Sequence, residues 1–259
     1  MPPPPASSLD LGPVELRLYP VCVLLGFLVW MLMTARIWQS GGGDPVDAMW
    51  TCILAGPMAL VGARFYSAAT DAILGVDSPP LDFSRGGLGI YGAIAAGLAA
   101  IVVSCRRRGW PVGTFLDCCV PGLALGQAIG RWGNYFNQEL FGGPTSLPWG
   151  LHVDPAYRPL DYLDQATFHP VFVYESLWDV TVFFLLLALW PRLWERFRPG
   201  AVAATYLILY GAGRIAIEAL RIDDTPELLG VRMNQLVSAF AIASGMLVLA
   251  MLDRRRQPR

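Results

Sequence analysis

Long runs without a charged side chain limit most strongly what this chain can fold into. A helix of about 20 apolar residues spans the hydrocarbon core of a bilayer. Runs of that length contain no Asp, Glu or Arg at residues 18–35, 86–105 and 233–252. Further apolar segments, interrupted by a few ionisable groups, lie at residues 48–70, 112–131, 170–190 and 200–221. We therefore predict an all-α integral membrane protein with about seven transmembrane helices.

The composition agrees with a membrane protein rather than a soluble one. Hydrophobic residues make up 54% of the chain and charged residues only 15%, whereas a typical soluble domain carries about 25% charged residues. The apolar runs are continuous and do not alternate with polar residues, which argues against a membrane β-barrel. We predict one polytopic membrane domain over residues 1–259.

Arginine in the loops predicts the orientation of the helices, since cytoplasmic loops are enriched in basic residues. The loop ends that would share one side hold Arg36, Arg106, Arg107, Arg108, Arg192, Arg196, Arg198, Arg254, Arg255, Arg256 and Arg259. The opposite loops are mainly acidic. We expect the N-terminus outside and the C-terminus in the cytoplasm. The start, MPPPPASSLDLGPVE, has no basic region typical of a cleaved signal peptide, and we expect it to be disordered or to form polyproline II helix.

The cysteines and histidines give no indication of a metal site, a cofactor or a disulfide framework. All five cysteines fall within or at the inner ends of predicted helices, and the two histidines, His152 and His169, are far apart in sequence. Neither a phosphate-binding loop nor a nucleic-acid signature is present. We expect no metal, no cofactor and no nucleic-acid partner.

Polar residues inside the predicted helices gather near the ends that would face outside. An ionisable group in a bilayer costs roughly 2.5–3.5 kcal/mol on insertion scales and usually lines a cavity or a pathway. The group comprises Tyr19, Arg64, Tyr91, Arg131, Asn134, Glu175, Arg214, Glu218, Asn234 and Gln235. We predict a polar chamber that opens toward the outer leaflet. The long loop at residues 134–169 would form a small extracytoplasmic head beside it.

Simpler explanations stay open for parts of this group. Arg214 and Glu218 are four residues apart and would neutralise each other on a helix. Arg64 and Arg85 would reach lipid headgroups by snorkelling, a role that suits Arg85 better. Two other classes of protein also fit: a transporter or flippase of an anionic lipid or solute, and a lipid-binding scaffold without chemistry. A transporter needs polar groups near the midplane and access from both sides, whereas the inner helix halves here are almost wholly apolar.

One polar segment carries a specific resemblance. Residues 130–143 read GRWGNYFNQELFGG, which closely resembles the signature of the prolipoprotein diacylglyceryl transferase family. We call this stretch the signature segment. Its matching positions are Gly130, Arg131, Gly133, Asn134, Asn137, Glu139 and Gly142. The resemblance continues through Tyr19, through FHPVFVYES with His169, Tyr174 and Glu175, through YGAGRIAIEALR with Arg214, Glu218 and Arg221, and through MNQLVS with Gln235; VGARFY with Arg64 is a looser match.

The resemblance implies a bacterial inner-membrane enzyme whose active site faces outside. Members of the family transfer the diacylglyceryl group of phosphatidylglycerol to the lipobox cysteine thiol of a prolipoprotein, and glycerol phosphate leaves. The implied catalytic residues are Arg131, Arg214, Glu139, Glu218 and Tyr91. The implied phosphatidylglycerol contacts are Arg131, Asn134, Asn137, Gly142, Tyr19, Arg64, Arg221 and Gln235, with His169, Tyr174 and Glu175 in supporting roles.

Arginine suits this chemistry because its planar cation binds phosphate through two parallel hydrogen bonds. Glu139 and Glu218 would orient the arginines or accept the thiol proton. Tyr91, in GIYGA, departs from the family, since many members carry there a histidine that has been proposed as the base. A tyrosine with a pKa near 10 is a poor base at neutral pH. We expect Tyr91 to orient a partner, and the base stays unassigned.

Overall fold

The computed structural model describes residues 1–10, 12–13, 15–73, 79, 89–223, 227–228 and 230–253. Within these residues seven helices are long and apolar enough to cross a membrane, which confirms the predicted all-α membrane fold. The helices are α1 (Leu18–Ser40), α2 (Pro45–Ile73), α3 (Ile90–Arg108), α4 (Val112–Gly130), the short α5 (Trp132–Asn137), α6 (Val171–Arg196), α7 (Ala201–Glu218) and α8 (Met233–Leu252).

Several helices continue beyond the charge-free runs. Helix α1 passes Arg36 and ends at Ser40, and α3 includes the arginines up to Arg108. Hydropathy marks the part of a helix that tolerates lipid, whereas the backbone hydrogen bonds continue for as long as residues with helical propensity follow. Residues 134–137, expected in the head, are still helical in α5, so the irregular part begins at Gln138.

Three short antiparallel hairpins accompany the helices: β1 (Ser8–Asp10) with β2 (Glu15–Arg17), β3 (Leu151–His152) with β4 (Thr167–Phe168), and β5 (Glu227–Leu228) with β6 (Val231–Arg232). The first corrects the expectation of a disordered or polyproline lead. The first residue of the chain is also bonded to the head, because the Met1 ammonium donates to the Gly150 carbonyl at 2.7 Å. These hydrogen bonds fix Ser8–Asp10 against Glu15–Arg17 and the first residue against the head.

The chain divides into two compact units, whose boundaries run through α1 and α4. One unit comprises Met31–Cys118, and within it α2 and α3 pack closely where Gly62 faces Gly92. The other comprises Met1–Trp30 with Cys119–Arg259. There α7 packs on both α6 and α8, with Gly211 and Gly245 at the contact between α7 and α8. Small residues allow helix backbones to approach within a bilayer, where association depends on close packing.

The loop between α5 and α6 has a small hydrophobic core of its own. Phe141, Leu151, Val153 and Phe168 are buried together with Phe172 from the first turn of α6. The Phe141 and Phe168 rings lie 4.8 Å apart between centroids. This core fixes the loop on the start of α6 and thereby positions the signature segment, which leads into it.

Candidate active site

The polar residues of the larger unit converge where four helix ends meet. Helices α4 and α7 end there, and α6 and α8 begin there. The residues that meet are contributed by the turn after α4, the second turn of α6, the last turns of α7 and the first turn of α8. The predicted gathering of polar groups is therefore present within this unit. We use the name arginine cluster for Arg131, Arg214, Arg221 and Arg232 with the carboxylates that bind them.

Glu175 is the centre of the arginine cluster. It is buried, and its carboxylate forms an ion pair with Arg131 at 3.2 Å and a short one with Arg214. A third guanidinium, that of Arg221, lies 3.8 Å away. The sequence suggested only a supporting role for Glu175. In the structure one carboxylate from α6 binds arginines from the turn after α4 and from α7 with the residues directly after it.

Glu218 is the second anchor of the cluster. Its side chain is fully buried, and it lies 2.9 Å from Arg214 and 3.5 Å from Arg232. The Asn234 amide also donates to it at 3.0 Å. The pairing of Arg214 with Glu218 was predicted from their spacing. Arg214 bridges Glu218 and Glu175, however, so it joins two helices rather than merely neutralising a neighbour on its own helix.

Arg221 and Arg232 close the cluster on the side of the chain that follows α7. Arg221 donates two hydrogen bonds to Asp223, at 2.6 and 2.9 Å. Burial by itself would lower the pKa of Arg221, but the hydrogen bonds and charge of Asp223 outweigh it and raise that pKa. Arg232 donates to the Glu218 and Arg221 carbonyls at 3.1 and 3.0 Å. These two guanidiniums are charged, largely buried and held in position.

Asp179 lies one helical turn beyond Glu175 on α6. It is buried, and the charges of Arg131 and Arg214 act on it. Its Oδ2 atom has no hydrogen-bond partner within the described part of the chain. A buried carboxylate oxygen without a hydrogen bond is costly. Asp179 therefore places a further carboxyl group beside the arginines without a hydrogen-bond partner for Oδ2 in the described part of the chain.

The signature segment forms a strained turn directly after α5. Gln138 and Leu140 have φ values of 49° and 56°, and they are the described non-glycine residues with positive φ. The left-handed region costs an L-residue roughly 1–2 kcal/mol, and such strain concentrates at functional sites. Gln138 is held by reciprocal hydrogen bonds with Asp154, at 2.6 and 2.9 Å. The strained turn fixes the direction of the residue at its centre, Glu139.

Glu139 is bound by amides rather than by guanidinium groups. Asn134 and Asn137 each donate to its Oε1 atom, at 3.0 and 3.2 Å. Among the described residues no ion pair to Glu139 is found, in contrast to the fully paired Glu175 and Glu218. The expectation that it would orient the arginines directly is not met in this structure. Glu139 is the carboxylate of the signature segment, and no guanidinium among the described residues forms an ion pair with it.

Gly142 lies where three backbone segments cross. Its N–H donates to the His169 carbonyl at 2.9 Å, and the next residue, Gly143, donates to the Leu220 carbonyl at 2.9 Å. A Cβ atom on Gly142 would lie 2.6 Å from the Leu220 oxygen and 2.9 Å from the His169 Cβ. Glycine is needed for close approach here. Through it the signature segment, the start of α6 and the end of α7 are locked together.

The remaining predicted site residues of this unit lie around the signature segment. The Tyr19 ring packs over Gly133, where an added Cβ would lie 2.7 Å from the ring. His169 and Tyr174 form a hydrogen bond at 3.2 Å between Nδ1 and the hydroxyl group, which also accepts from Trp149 at 3.0 Å. These contacts join α6 to the head. Gln235 follows Asn234 in the first turn of α8.

Tyr91 and Arg64 belong to the other compact unit. The Tyr91 ring packs edge-on against Tyr66, with 5.7 Å between centroids. Arg64 is 1% exposed and donates to the Pro79 carbonyl at 2.9 Å. Such burial is incompatible with snorkelling to headgroups. Arg85, the other candidate for snorkelling, lies outside the described residues.

The family is decided by a match to the whole length of the signature and its surroundings. Residues 6–251 match the model of the family described as prolipoprotein diacylglyceryl transferase. The chain belongs to the prolipoprotein diacylglyceryl transferase family. The resemblance seen in the sequence is thereby confirmed.

Relatives in this transferase family cover nearly all of the chain. Phosphatidylglycerol–prolipoprotein diacylglyceryl transferase 2 of Streptomyces coelicolor is 41% identical over 98% of this chain and 81% of its own length. The enzymes of the same name from Paenarthrobacter aurescens and Mycobacteroides abscessus are 39% and 35% identical, over 100% and 99% of this chain and 85% and 80% of their own lengths. With its seven apolar helices, this member of the family is a multi-pass bacterial membrane protein.

Some residues of this transferase-family site were missed by the sequence reasoning. Arg232, Asp223 and Gln138 all take part in the contacts described above. Arg232 carried a usable signal, because it is a basic residue directly before α8 among otherwise acidic loops. Gln138 carried none, since its role depends on a backbone conformation and on Asp154 from the head.

No group of three or more His, Cys, Asp or Glu side chains suited to a metal ion occurs among the residues that the structure describes.

Proposed function

We propose that this chain transfers the diacylglyceryl group of phosphatidylglycerol to the lipobox cysteine of prolipoproteins, the first step of lipoprotein maturation. The observation that carries the proposal is the convergence of Arg131 and Arg214 on one buried carboxylate, in a chain whose relatives bear the name of this activity. Two fixed guanidiniums beside a polar turn form a suitable site for a phosphate diester.

The reaction exchanges one bond for another at a glycerol carbon. The thiol sulfur attacks the carbon that carries the phosphate ester, the carbon–oxygen bond breaks, and a thioether forms. Glycerol phosphate leaves with the electron pair and one additional negative charge. The thiol proton passes to a base. The protein therefore has two tasks, which are to stabilise the departing phosphate and to accept one proton.

The arginine cluster is suited to the first task. A guanidinium has five N–H donors, and the ion pairs of Arg131 and Arg214 with Glu175 leave several of them for a phosphate. Because buried carboxylates already hold these cations in position, little reorganisation is needed as negative charge develops. We assign the phosphate to Arg131 and Arg214, with Arg221 behind them. Asn134, Asn137, Tyr19, Gly142 and Gln235 remain proposed contacts of the lipid, whereas the burial of Arg64 on the Pro79 carbonyl gives no support to its predicted contact.

Glu139 is suited to the second task. A thiol with a pKa of about 8.5 is only a few per cent ionised at neutral pH, so proton removal helps the attack. Glu175 and Glu218 are buried and their carboxylate oxygens are bound to arginines, so they are less accessible to a thiol. Glu139 has two amide donors and no guanidinium partner among the described residues. We therefore prefer Glu139 over Glu218 as the proton acceptor, and Tyr91 as an orienting group.

The proposed location is the inner membrane, with the site and the head on its outer side. Arginines at the end of α6 that is far from Glu175, Arg192 and Arg196, support this orientation, because basic residues are enriched on the cytoplasmic side. The N-terminus would then lie outside and the C-terminus in the cytoplasm, as expected from the sequence.

The test combines the purified protein, vesicles that contain phosphatidylglycerol, and a lipobox peptide. Mass spectrometry is expected to detect a diacylglyceryl adduct on the peptide, and an enzymatic assay an equal amount of released glycerol phosphate. A Cys→Ser peptide should give neither. Movement of labelled lipid across the vesicle bilayer without any peptide adduct would reject the transferase in favour of a transporter. Lipid binding without either effect would favour a scaffold.

A further inference from the structure

A cavity of about 660 Å³ opens beside the signature segment. One wall is formed by the N-terminal hairpin, with Ser7, Glu15 and Arg17. We call residues 137–141, which contain the strained turn, the floor of the cavity, and Tyr157 and Pro159 from the head also line it. All of these residues belong to the larger compact unit. Apart from its floor, the cavity is therefore lined mainly by segments that have no assigned role toward the lipid donor.

The floor connects the cavity to the arginine cluster. Asn137 and Glu139 line it, and Glu139 is hydrogen-bonded to Asn134 in α5. Helix α5 begins one residue after Arg131. At the rim, Asp223 lines the cavity with its carboxylate bound to Arg221. A molecule in this cavity would thus lie next to the proposed proton acceptor and adjoin the residues that we assign to the phosphate.

The charges of the lining do not suit a second anionic lipid headgroup. Among the described residues of the lining, Arg17 carries the only guanidinium. The carboxylates of Glu15 and Glu139 offset its positive charge. A phosphate in the cavity would meet no excess of positive charge. An uncharged polypeptide backbone has donors and acceptors that match carboxylates and amides such as Gln138 and Asn137.

The lining also presents apolar and aromatic surface. Leu140, Phe141, Tyr157, Pro159 and Ile222 contribute to the lining. A mixture of apolar walls and a few polar groups is typical of ligand pockets, whose volumes range from about 300 to 1,000 Å³. The cavity has space for a few residues of an extended chain. Apolar side chains of that chain would lie against these residues, and its backbone would face Asn137, Gln138 and Glu139.

We propose that this cavity holds the stretch of the acceptor polypeptide next to the modified cysteine, and that Glu139 marks its thiol end. The identity of the acceptor rests on the proposed function, whereas the presence of a peptide site does not. Donor and acceptor then approach from different sides of the signature segment. The phosphate lies on the arginine cluster and the peptide lies in the cavity, with the strained turn between them.

Photo-crosslinking tests the binding site without requiring turnover. A Cys→Ser lipobox peptide, with a benzophenone amino acid two or three residues from the serine, is irradiated with the full-length protein in phosphatidylglycerol vesicles. We expect saturable crosslinks to residues 7–17 and 157–159 that unlabelled peptide suppresses. Crosslinks that map elsewhere, or that do not saturate, would overturn the proposal.

Two matched pairs of variants test the same site through turnover. Ser7→Trp fills the cavity, whereas Ser8→Trp introduces the same side chain at a neighbouring residue outside the lining. Tyr157→Ala removes a wall, whereas Leu160→Ala truncates an exposed residue outside it. We expect the KM for the peptide to rise about tenfold for the first member of each pair, with the KM for phosphatidylglycerol unchanged. Equal effects within both pairs, or a selective rise in the lipid KM, would reject the cavity.

The two proposals fail separately. Absence of any peptide adduct with the unmodified protein, together with saturable crosslinks in the cavity, would reject the transfer reaction and retain the peptide site. Normal transfer with crosslinks elsewhere would reject the peptide site and retain the transfer reaction.

Discussion

The carboxylates of this site are of two kinds, which differ in the side chains that bind them. Glu175 and Glu218 are buried and bind guanidiniums, so each holds a cation where a phosphate would need it. Glu139 accepts hydrogen bonds from two asparagine amides and adjoins a cavity. The first kind is suited to preorganisation and the second to proton transfer. Substitutions that alter one property at a time separate these roles.

Replacing Arg131 or Arg214 by lysine keeps the positive charge and removes the planar fork that binds two partners at once. We expect each change to lower the maximal transfer rate on the order of 10²–10³-fold, as for loss of one preorganised contact to a developing anion. Initial rates at saturating lipid and peptide measure this. Arg36→Lys, at an exposed position of α1, is the control. Near-normal rates for both site variants would contradict the assignment of the phosphate.

Glu139→Gln retains an oxygen that accepts the two asparagine hydrogen bonds but removes a proton acceptor. We expect a rate loss of about 10²–10⁴-fold, the usual contribution of general-base catalysis, with thermal stability preserved. Glu218→Gln should instead lower the unfolding temperature, because loss of one partner of a buried ion pair costs about 3–5 kcal/mol. Rate–pH profiles and melting curves of both variants distinguish the two. A normal rate for Glu139→Gln would exclude it as the base.

Tyr91→Phe removes one hydroxyl group and keeps the ring that packs on Tyr66. If Tyr91 orients a partner, the rate should fall only mildly and the shape of the pH–rate profile should not change. If Tyr91 is the base, Tyr91→Phe would abolish activity at neutral pH, and Tyr91→His would restore it with a lower apparent pKa. The pH dependence of the initial rate for the three proteins decides between these roles.

Among the structural elements, the crossing of backbones at Gly142 has the most direct consequence for the site. It joins the signature segment to the segment before α6 and to the end of α7. The two helices contribute Glu175 and Arg214, so the position of this crossing determines how their side chains meet. The strained turn at Gln138 and Leu140 directs Glu139 from the same segment.

Gly142→Ala and Gly143→Ala form a matched pair for this crossing. A Cβ on Gly142 would lie 2.6 Å from the Leu220 oxygen, whereas on Gly143 the nearest atom, Cγ2 of Ile222, would be 3.7 Å away. We expect Gly142→Ala to destabilise the protein by about 1–3 kcal/mol, as for overpacking, and to reduce transfer. Gly143→Ala should resemble the parent in both respects. Melting temperature in detergent and initial rate measure the pair, and indistinguishable results would show that the crossing relaxes easily.

At the scale of the whole molecule, the orientation in the membrane decides which substrates reach the site. Exposed apolar side chains such as Leu24, Leu32, Phe240, Leu247 and Met251 cover the outer faces of α1 and α8. In a membrane these faces contact lipid. Under the proposed function a lipid donor would therefore reach the protein surface directly from the membrane, whereas a peptide acceptor would arrive from the side on which the head lies.

Cysteine labelling tests the proposed orientation. Ser146→Cys in the head and Ser40→Cys at the end of α1 are both exposed positions and should lie on opposite sides of the membrane. With a membrane-impermeant maleimide on intact cells, whose outer membrane is permeabilised if one is present, we expect labelling at position 146 only. Position 40 should react after lysis of the inner membrane. The unsubstituted protein measures the background from its own cysteines. The reverse pattern would place the head in the cytoplasm and contradict the arginine rule.

The sequence by itself determined the membrane fold and the residue types of the site. Uncharged runs such as residues 233–252 identify a span because burial of charge in lipid is costly at any position. The same cost makes Arg131 and Arg214 conspicuous. Only the tertiary structure decided that Glu175 is the shared partner of these arginines, that Arg232 joins the cluster, and that Glu139 is bound by amides. These pairings depend on which helix ends meet and on how three backbones cross at Gly142. Hydropathy and spacing are properties of one segment, whereas an ion pair between segments is fixed by packing that no single segment encodes.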